Sequence, residues 1–258
     1  SWEVPRPIGS MALRVGGGAI ISLPDGVHTL DFDTGEVAPL ALPEDQNPRI
    51  QFNDGKVDRR GRFIVGSTDS NIGDCQPIGS VYSLGADHSL TVIDTGIHIS
   101  NGPCFAPDNK TFYFADSVPF TLYAYDYDIE TGAATNRRPF AETREHGGFP
   151  DGCTVDAEGN VWMALCEGGK ILCYRPDGKL ERVIETPMQL PASVMFGGAD
   201  LDQLYLTSID PALLGPQGEV LALLLQQGEA LTRQTSHVAH PDVEIRVTAL
   251  SDGGGAAH

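Results

Sequence analysis

The chain has 258 residues, a length that fits one large domain or two small ones. It carries 17 basic and 35 acidic side chains, and the formal net charge of -18 argues against nucleic acid and anionic membranes as partners. Hydrophobic residues make up 41% of the chain, which is enough for a packed core. The longest apolar run, 220–225, is far shorter than the ~20 residues that span a bilayer.

The abundance of turn residues indicates the fold class. Thirty Gly and 18 Pro together make up about a fifth of the chain, and they are spread evenly instead of being concentrated in one linker. Short apolar runs separated by dispersed turn residues predict an all-β protein with many tight turns.

The cysteines argue against a covalent or zinc-based scaffold. There are five of them, an odd number, and no C-x-x-C motif occurs. No signal peptide is visible at the start of the sequence. We therefore expect reduced, mostly buried thiols in a cytoplasmic protein.

In chain order, one pattern recurs: an extended apolar run, a turn of Asp, Gly or Asn, and a second alternating strand. The turns lie at intervals of 42, 50, 48 and 44 residues and centre on Gly16, Asp58, Asp108, Asp156 and Asp200. Most copies continue with a second hairpin, as at 26–35, 80–87, 121–128 and 170–178. Four strands in each such repeat predict the blade of a β-propeller. A β-sandwich is the alternative, although a sandwich does not need a turn every ~45 residues.

Five copies are visible, and a sixth blade would have to be assembled from the two chain ends. We therefore predict a six-bladed β-propeller of four-stranded antiparallel blades, with an incomplete first or last blade. The propeller domain is assigned to residues 1–210. The divergent segment 211–258 would help to complete a blade, and we expect its end to be disordered.

Three polar segments, 51–55, 100–103 and 149–152, lead directly into the first strand of successive copies. Their spacing matches the blade period, so Asn53, Asn101 and Asp151 would occupy equivalent places facing one axis. Oxygen ligands that converge from separate blades would suit a hard cation such as Ca²⁺ or Mg²⁺. Each segment alone is also ordinary turn chemistry, and only their common register indicates a site.

These segments also carry a family resemblance. Segments 52–63, 100–103 and 149–152, together with 196–208, resemble the gluconolactonase/regucalcin (senescence marker protein) family over about residues 1 to 210. The resemblance implies a six-bladed propeller, hydrolysis of sugar lactones and one divalent metal ion in the channel. That ion would be Ca²⁺ or Zn²⁺ in the first place, with Mg²⁺ and Mn²⁺ as alternatives.

The resemblance also implies roles for individual residues. Asn101 and Asp151 match metal ligands, and Asp151 also matches the family's candidate general base. Asn53 matches a residue that contacts substrate or metal-bound water. Asn71 falls where the family often places a polar residue that contacts the substrate.

The sequence departs from the family pattern at two places. A Gly-Glu-Gly-Pro motif, which carries the family's first metal ligand, does not occur, and we expect the chain to begin inside the first blade after that Glu. Many members have Arg where this chain has Gln51, our third substrate-binding candidate. Gln51 carries no charge and would hold an anionic group less firmly. Strand alternation would place Arg49 on the same face.

The expected function is metal-dependent hydrolysis of a sugar lactone, such as a glucono-, arabino- or xylono-lactone, to the sugar acid. The metal would polarise the carbonyl group, and Asp151 would accept a proton from the attacking water. The alternative is a non-catalytic or truncated propeller that binds a divalent cation or a partner, which the missing Glu favours. We expect a monomer or a homodimer.

Overall fold

The computed structural model of the chain describes residues 2–44 and 47–209, which form strands joined by turns and two short 3-10 segments. The strands are grouped into four four-stranded sheets and one two-stranded sheet. Within every sheet the strands follow chain order and pair antiparallel, so each sheet is a series of hairpins. The predicted all-β class and the four-stranded antiparallel sheets are confirmed.

The first two sheets are numbered in chain order. Sheet 1 contains β1 Ser10–Leu13, β2 Ala19–Leu23, β3 Gly26–Leu30 and β4 Val37–Ala41. Sheet 2 contains β5 Ile50–Val57, β6 Phe63–Asp69, β7 Gly79–Leu84 and β8 Leu90–Ile97. A 3-10 segment, Ile72–Asp74, lies between β6 and β7.

The remaining strands continue the same order. Sheet 3 contains β9 Ser100–Phe105, β10 Thr111–Asp116, β11 Thr121–Asp128 and β12 Ala133–Glu142. Sheet 4 contains β13 Phe149–Val155, β14 Val161–Cys166, β15 Lys170–Tyr174 and β16 Leu180–Glu185, and a 3-10 segment Arg144–His146 precedes it. Sheet 5 contains β17 Pro191–Gly197 and β18 Gln203–Ser208.

The first strand of each sheet is the innermost one. Strand β9 packs against both β5 and β13, β13 packs against β17, and β5 packs against β1. Successive sheets therefore radiate from a shared line of inner strands, which is the arrangement of a propeller. The turns predicted from the repeat are confirmed, because all five lie between the first and second strands of a sheet.

Neighbouring sheets pack face to face through apolar side chains. Between sheets 2 and 3, Ile64 and Val81 contact Phe112 and Tyr125, and all four are almost completely buried. The middle strands are covered on both faces, so β6 and β14 are buried along their whole length. Fully burying one such side chain contributes about 1.5–3 kcal/mol to stability, which explains the apolar runs that mark the repeat.

Two further expectations can be compared with the described residues. All five cysteines lie within them; none forms a disulfide, four are buried and Cys75 is half-buried. No helix in the described part of the chain is long and apolar enough to cross a membrane. The segment 211–258 lies outside the described residues, which form five sheets.

A buried carboxylate connects sheets 2 and 3. Asp58, in the β5–β6 turn, accepts hydrogen bonds from the guanidinium of Arg62 at 2.9 Å and from the hydroxyl of Tyr127 at 2.7 Å. Its other oxygen accepts the backbone N–H groups of Arg60 and Arg62. Although burial opposes ionisation, these donors hold the pKa of Asp58 below its usual value.

Replacing Asp58 with Asn should lower the free energy of unfolding by about 3 kcal/mol, because it removes the buried counter-charge of the half-buried guanidinium of Arg62. Urea denaturation followed by circular dichroism measures the loss. Asp108→Asn is the matched control: Asp108 occupies the corresponding turn of sheet 3 but is exposed, and it accepts only the N–H of Lys110. The control should change stability by less than ~0.5 kcal/mol.

The contribution of Asp58 should depend on pH. Because its folded-state pKa is lowered, the contribution is present above the usual carboxyl pKa of 3.8 and is lost as the pH falls through the lower folded value. Equal stabilities of the Asp58→Asn variant and the original chain at neutral pH would contradict this account.

Candidate metal and substrate site

Asn53, Asn101 and Asp151 come together at one end of the inner strands. The sequence placed them in loops before those strands, whereas the structure places them within β5, β9 and β13. The reason is a β-bulge in each strand, where two residues oppose one, so that the hydrogen-bond ladder resumes on either side. Asn53 and Asp151 are the first residues of their bulges, and Asn101 directly precedes its own. All three are buried.

The side chain of Asn53 connects sheets 2 and 3. Its amide nitrogen donates to the carbonyl of Ser100 at 2.7 Å and to the amide oxygen of Asn101 at 3.0 Å. Its backbone carbonyl accepts hydrogen bonds from the hydroxyls of Ser10 at 3.0 Å and Ser22 at 2.9 Å, both in sheet 1. Asn53 is therefore fixed by three sheets at once.

Asn101 and Asp151 face each other across the line between sheets 3 and 4. The amide oxygen of Asn101 lies 3.2 Å from Asp151 Oδ1 and 2.9 Å from the carbonyl oxygen of Ser100. Its amide nitrogen donates to the hydroxyl of Ser117, which in turn donates to the carbonyl of Pro150. Oxygens this close repel each other, and two arrangements relieve the repulsion. Either the amide rotates so that its nitrogen donates to Asp151, or the two oxygens share a cation.

A second carboxylate, Asp54, lies beside the site and was missed by the sequence analysis. Asp54 is half-buried, and its carboxylate accepts the N–H of Gly102 at 2.9 Å and that of Gly55 at 2.8 Å. Burial, and then the negative charge of Asp54, raise the pKa of Asp151 well above its usual value. The motif Asn53-Asp54-Gly55 contained the signal, since Asp54 directly follows a candidate residue.

Lys56 lies deeper along the same inner strand. Its ammonium group donates to the carbonyl of Cys153 at 2.8 Å, so the side chain reaches from sheet 2 to sheet 4. Burial raises the pKa of Asp54, and the positive charge of Lys56 opposes part of that rise. The site thus has a cationic side chain beneath it, and this lysine too was absent from the predicted set.

The approach of β9 to β13 requires glycine at position 102. Gly102 has φ +54°, and a Cβ there would lie 2.6 Å from the carbonyl oxygen of Asp151 and 2.5 Å from the sulfur of Cys153. The absence of a side chain therefore allows the strand that carries Asn101 to lie against the strand that carries Asp151.

The other sequence candidates lie at the same end of sheet 2 but form no side-chain hydrogen bond with the three residues above. Gln51 precedes Asn53 by two residues on β5, is half-buried and forms no side-chain hydrogen bond with any described residue. Asn71 is exposed at the start of the 3-10 segment after β6, where its N–H donates to Asp69. Arg49 forms a bidentate pair with Asp69 at 2.7 and 2.8 Å and does not point a free charge at the site.

Asn101 and Asp151 supply only part of the oxygen ligands that a hard cation needs. The described residues contain no group of three or more His, Cys, Asp or Glu side chains placed to hold a metal. A cation at this position would therefore depend on the amide oxygen of Asn101 as much as on Asp151. The donor chemistry fits: each side chain carries an oxygen that can bind a cation, the amide of Asn101 lies 3.2 Å from Asp151 Oδ1, and the carboxylate of Asp54 is close enough to raise the pKa of Asp151. An ion held by these two residues alone would have to take its other ligands from water or substrate.

Comparison with known proteins agrees with the fold and the motifs. Regucalcin of Xenopus laevis is 37% identical over 212 residues, which cover 81% of this chain and 71% of that protein. The solved structure of a calcium-binding protein, regucalcin, from Agrobacterium tumefaciens is 27% identical with a TM-score of 0.74, covering 85% of this chain and 75% of that one. A solved gluconolactonase from Xanthomonas campestris is 25% identical with a TM-score of 0.60, covering 78% and 69% respectively.

Residues 1–210 also match the family described as the SMP-30/Gluconolactonase/LRE-like region. The all-β, propeller-like fold agrees with this match, and so do the inner strands that present Asn and Asp. The chain belongs to the SMP-30/gluconolactonase/LRE-like family. The resemblance noted in the sequence is confirmed.

Gly102→Ala should destabilise the protein by about 3 kcal/mol, because a left-handed φ is combined with two contacts that no Cβ tolerates. Gly96→Ala is the matched control, since Gly96 has φ +74° but no atom within 4 Å of the added carbon. The control should cost only about 1 kcal/mol. Thermal unfolding of the two variants measures the difference, and equal losses would show that β9 and β13 do not need this close approach.

Proposed function

We propose that this chain is a metal-dependent lactonase that hydrolyses a sugar lactone, such as a glucono-, arabino- or xylono-lactone, to the sugar acid. The observation that carries the proposal is the buried pair Asn101 and Asp151 on neighbouring inner strands, with the side-chain amide of Asn101 lying 3.2 Å from Asp151 Oδ1. Membership of the SMP-30/gluconolactonase/LRE-like family supports the reaction class.

Two of the similar structures support the two halves of the proposal. The Xanthomonas campestris protein is a gluconolactonase, and the Agrobacterium tumefaciens protein is a calcium-binding regucalcin. We propose one divalent ion held by Asn101 and Asp151, with Ca²⁺ or Zn²⁺ ahead of Mg²⁺ and Mn²⁺. When bound, such an ion polarises a carbonyl group and stabilises negative charge on its oxygen.

The chain's own residues supply the positioning and the proton transfer. In the proposed reaction, water attacks the lactone carbonyl carbon, and one of its protons passes to the carboxylate of Asp151. The ring C–O bond then breaks, the former ring oxygen takes up a proton, and the hydroxy acid leaves. Asn53 keeps its amide oxygen for substrate or water, because its amide nitrogen is already engaged by Ser100 and Asn101.

Gln51 and Asn71 are proposed as further contacts to the sugar hydroxyls. Both lie at the site end of sheet 2, and neither side chain forms a hydrogen bond within the described residues. Each therefore has donors and acceptors left for a polyol. The lack of charge at Gln51 favours neutral sugar hydroxyls over anionic groups at that position.

The rest of the predicted description also belongs to this proposal. We propose that the complete ring has six blades, that the protein acts as a monomer or homodimer, and that it works in the cytoplasm. Five free thiols suit a reducing compartment. The high acidic charge is unsuited to nucleic acid or to an anionic membrane as partner.

Asp151→Asn should lower metal-restored lactonase activity by at least ~100-fold, because the variant can neither accept the proton nor offer a charged ligand. The assay uses chelated protein, a panel of aldonolactones with a pH indicator, and each divalent ion added back. Asp108→Asn removes an exposed carboxylate from a remote turn and should keep full activity.

Two results would oppose this proposal. Full activity in Asp151→Asn would remove this residue from the chemistry. No activity of the folded original chain with any ion or lactone would favour the alternative, a non-catalytic propeller that binds a cation or a partner.

A further inference from the structure

Three side chains form a stack next to the candidate site. The rings of Phe120 and Phe149 are stacked with centroids 4.8 Å apart and an interplanar angle of 23°. The guanidinium carbon of Arg144 lies 4.2 Å from the centroid of the Phe120 ring. Both rings are half-buried and Arg144 is exposed, so the stack borders solvent.

Topology places the stack at the site end of sheets 3 and 4. Phe120 is in the turn between β10 and β11, and the start of that turn lies beside Ser100 because Ser100 pairs with Asp116. Arg144 lies in the connection between β12 and β13, and Phe149 is the first residue of β13. Phe149 is two residues from Asp151 along the same inner strand, on the side that faces sheet 3.

Hydrogen bonds connect the stack to the site. The turn that carries Phe120 begins at Ser117, whose hydroxyl bonds both to Asn101 and to the carbonyl of Pro150. Phe120 donates its N–H to the carbonyl of Ser117 and accepts the N–H of Thr143 at 2.9 Å. The position of the rings is therefore coupled to the backbone that holds Asn101 and Asp151.

The backbone of Phe120 is in an uncommon conformation. Its φ of +60° lies in the left-handed region, which bulky side chains rarely adopt and which costs on the order of 1–2 kcal/mol. Among the described residues, the ring of Phe120 stacks on Phe149 and lies under the guanidinium of Arg144. A strained residue that presents a half-buried ring beside a candidate site is the kind of outlier that marks a binding surface.

The charged side chains also favour the surface formed by Phe120, Phe149 and Arg144. Arg49, the cation nearest to Gln51 in the sequence, is neutralised by Asp69 and Asp74. Arg144 forms no ion pair with any described residue, and its guanidinium group lies against a ring instead. At the site end of sheets 3 and 4, it therefore offers N–H donors that are not already used by a carboxylate.

We propose that Phe149, Phe120 and Arg144 form the substrate wall of this site, an inference that rests on the proposed lactonase function. The aromatic pair takes the apolar C–H face of the sugar ring, and Arg144 donates hydrogen bonds to the hydroxyls of that ring or to the carboxylate of the product. Aromatic stacking combined with N–H donors is selective for a ring that has one apolar face and a polar edge.

The test compares Phe149→Leu, Phe149→Tyr and Arg144→Gln in the calcium-loaded full chain. With gluconolactone as substrate, KM should rise about tenfold in Phe149→Leu and in Arg144→Gln, with kcat within twofold of the original. Phe149→Tyr keeps the ring and should restore the original KM. Phe32→Leu is the matched control: Phe32 also stacks, on Trp2 at 4.4 Å, but in the β3–β4 turn at the opposite end of sheet 1, and its KM should not change.

Binding measured without catalysis separates the two proposals. Saturation-transfer NMR with gluconate should show ligand contact that weakens in Phe149→Leu and is retained in Phe149→Tyr and Phe32→Leu. If the original chain binds gluconate through Phe149 but hydrolyses no lactone, the substrate wall is supported and the proposed reaction is overturned. An active original chain whose Phe149→Leu and Arg144→Gln variants keep KM within twofold would overturn the wall alone.

Discussion

The candidate site depends on how closely the inner strands of neighbouring sheets approach one another. Gly102 allows β9 to lie against β13, because a Cβ at that position would lie 2.6 Å from the carbonyl oxygen of Asp151. Asn53 then fixes β5 to β9 through two hydrogen bonds from one amide. With the three strands held together in this way, the side-chain amide of Asn101 lies 3.2 Å from Asp151 Oδ1.

Placing the carboxylates of Asp54 and Asp151 close together is electrostatically unfavourable. Burial and the charge of Asp54 raise the pKa of Asp151, so the protein surroundings disfavour its charged form. A divalent ion bound there would reverse this preference, and the positive charge of Lys56 already offsets part of the charge of Asp54. In the proposed reaction, the same burial would strengthen an electrostatic interaction with the carbonyl group of the substrate.

The sequence was sufficient for the repeat and for the residues that meet at the inner strands. Turn chemistry at positions such as Asp58 and Asp156 recurs at the period of a blade, and each turn joins the first two strands of a sheet. Sequence could not place Asn53 and Asp151 inside strands, because a β-bulge depends on pairing with a neighbouring strand and has no local signature. Asp54 was missed for a related reason: its role depends on the N–H of Gly102, 48 residues away.

The most direct test of this account is metal binding by isothermal titration of the chelated protein with Ca²⁺, Zn²⁺, Mg²⁺ and Mn²⁺. We predict one ion per chain for the original sequence. Binding should be lost when Asn101→Ala and Asp151→Asn are combined, and retained in Asp108→Asn. Folded protein that binds no divalent ion, or a double variant that still binds one with unchanged affinity, would contradict the claim that these two facing oxygens form a cation site.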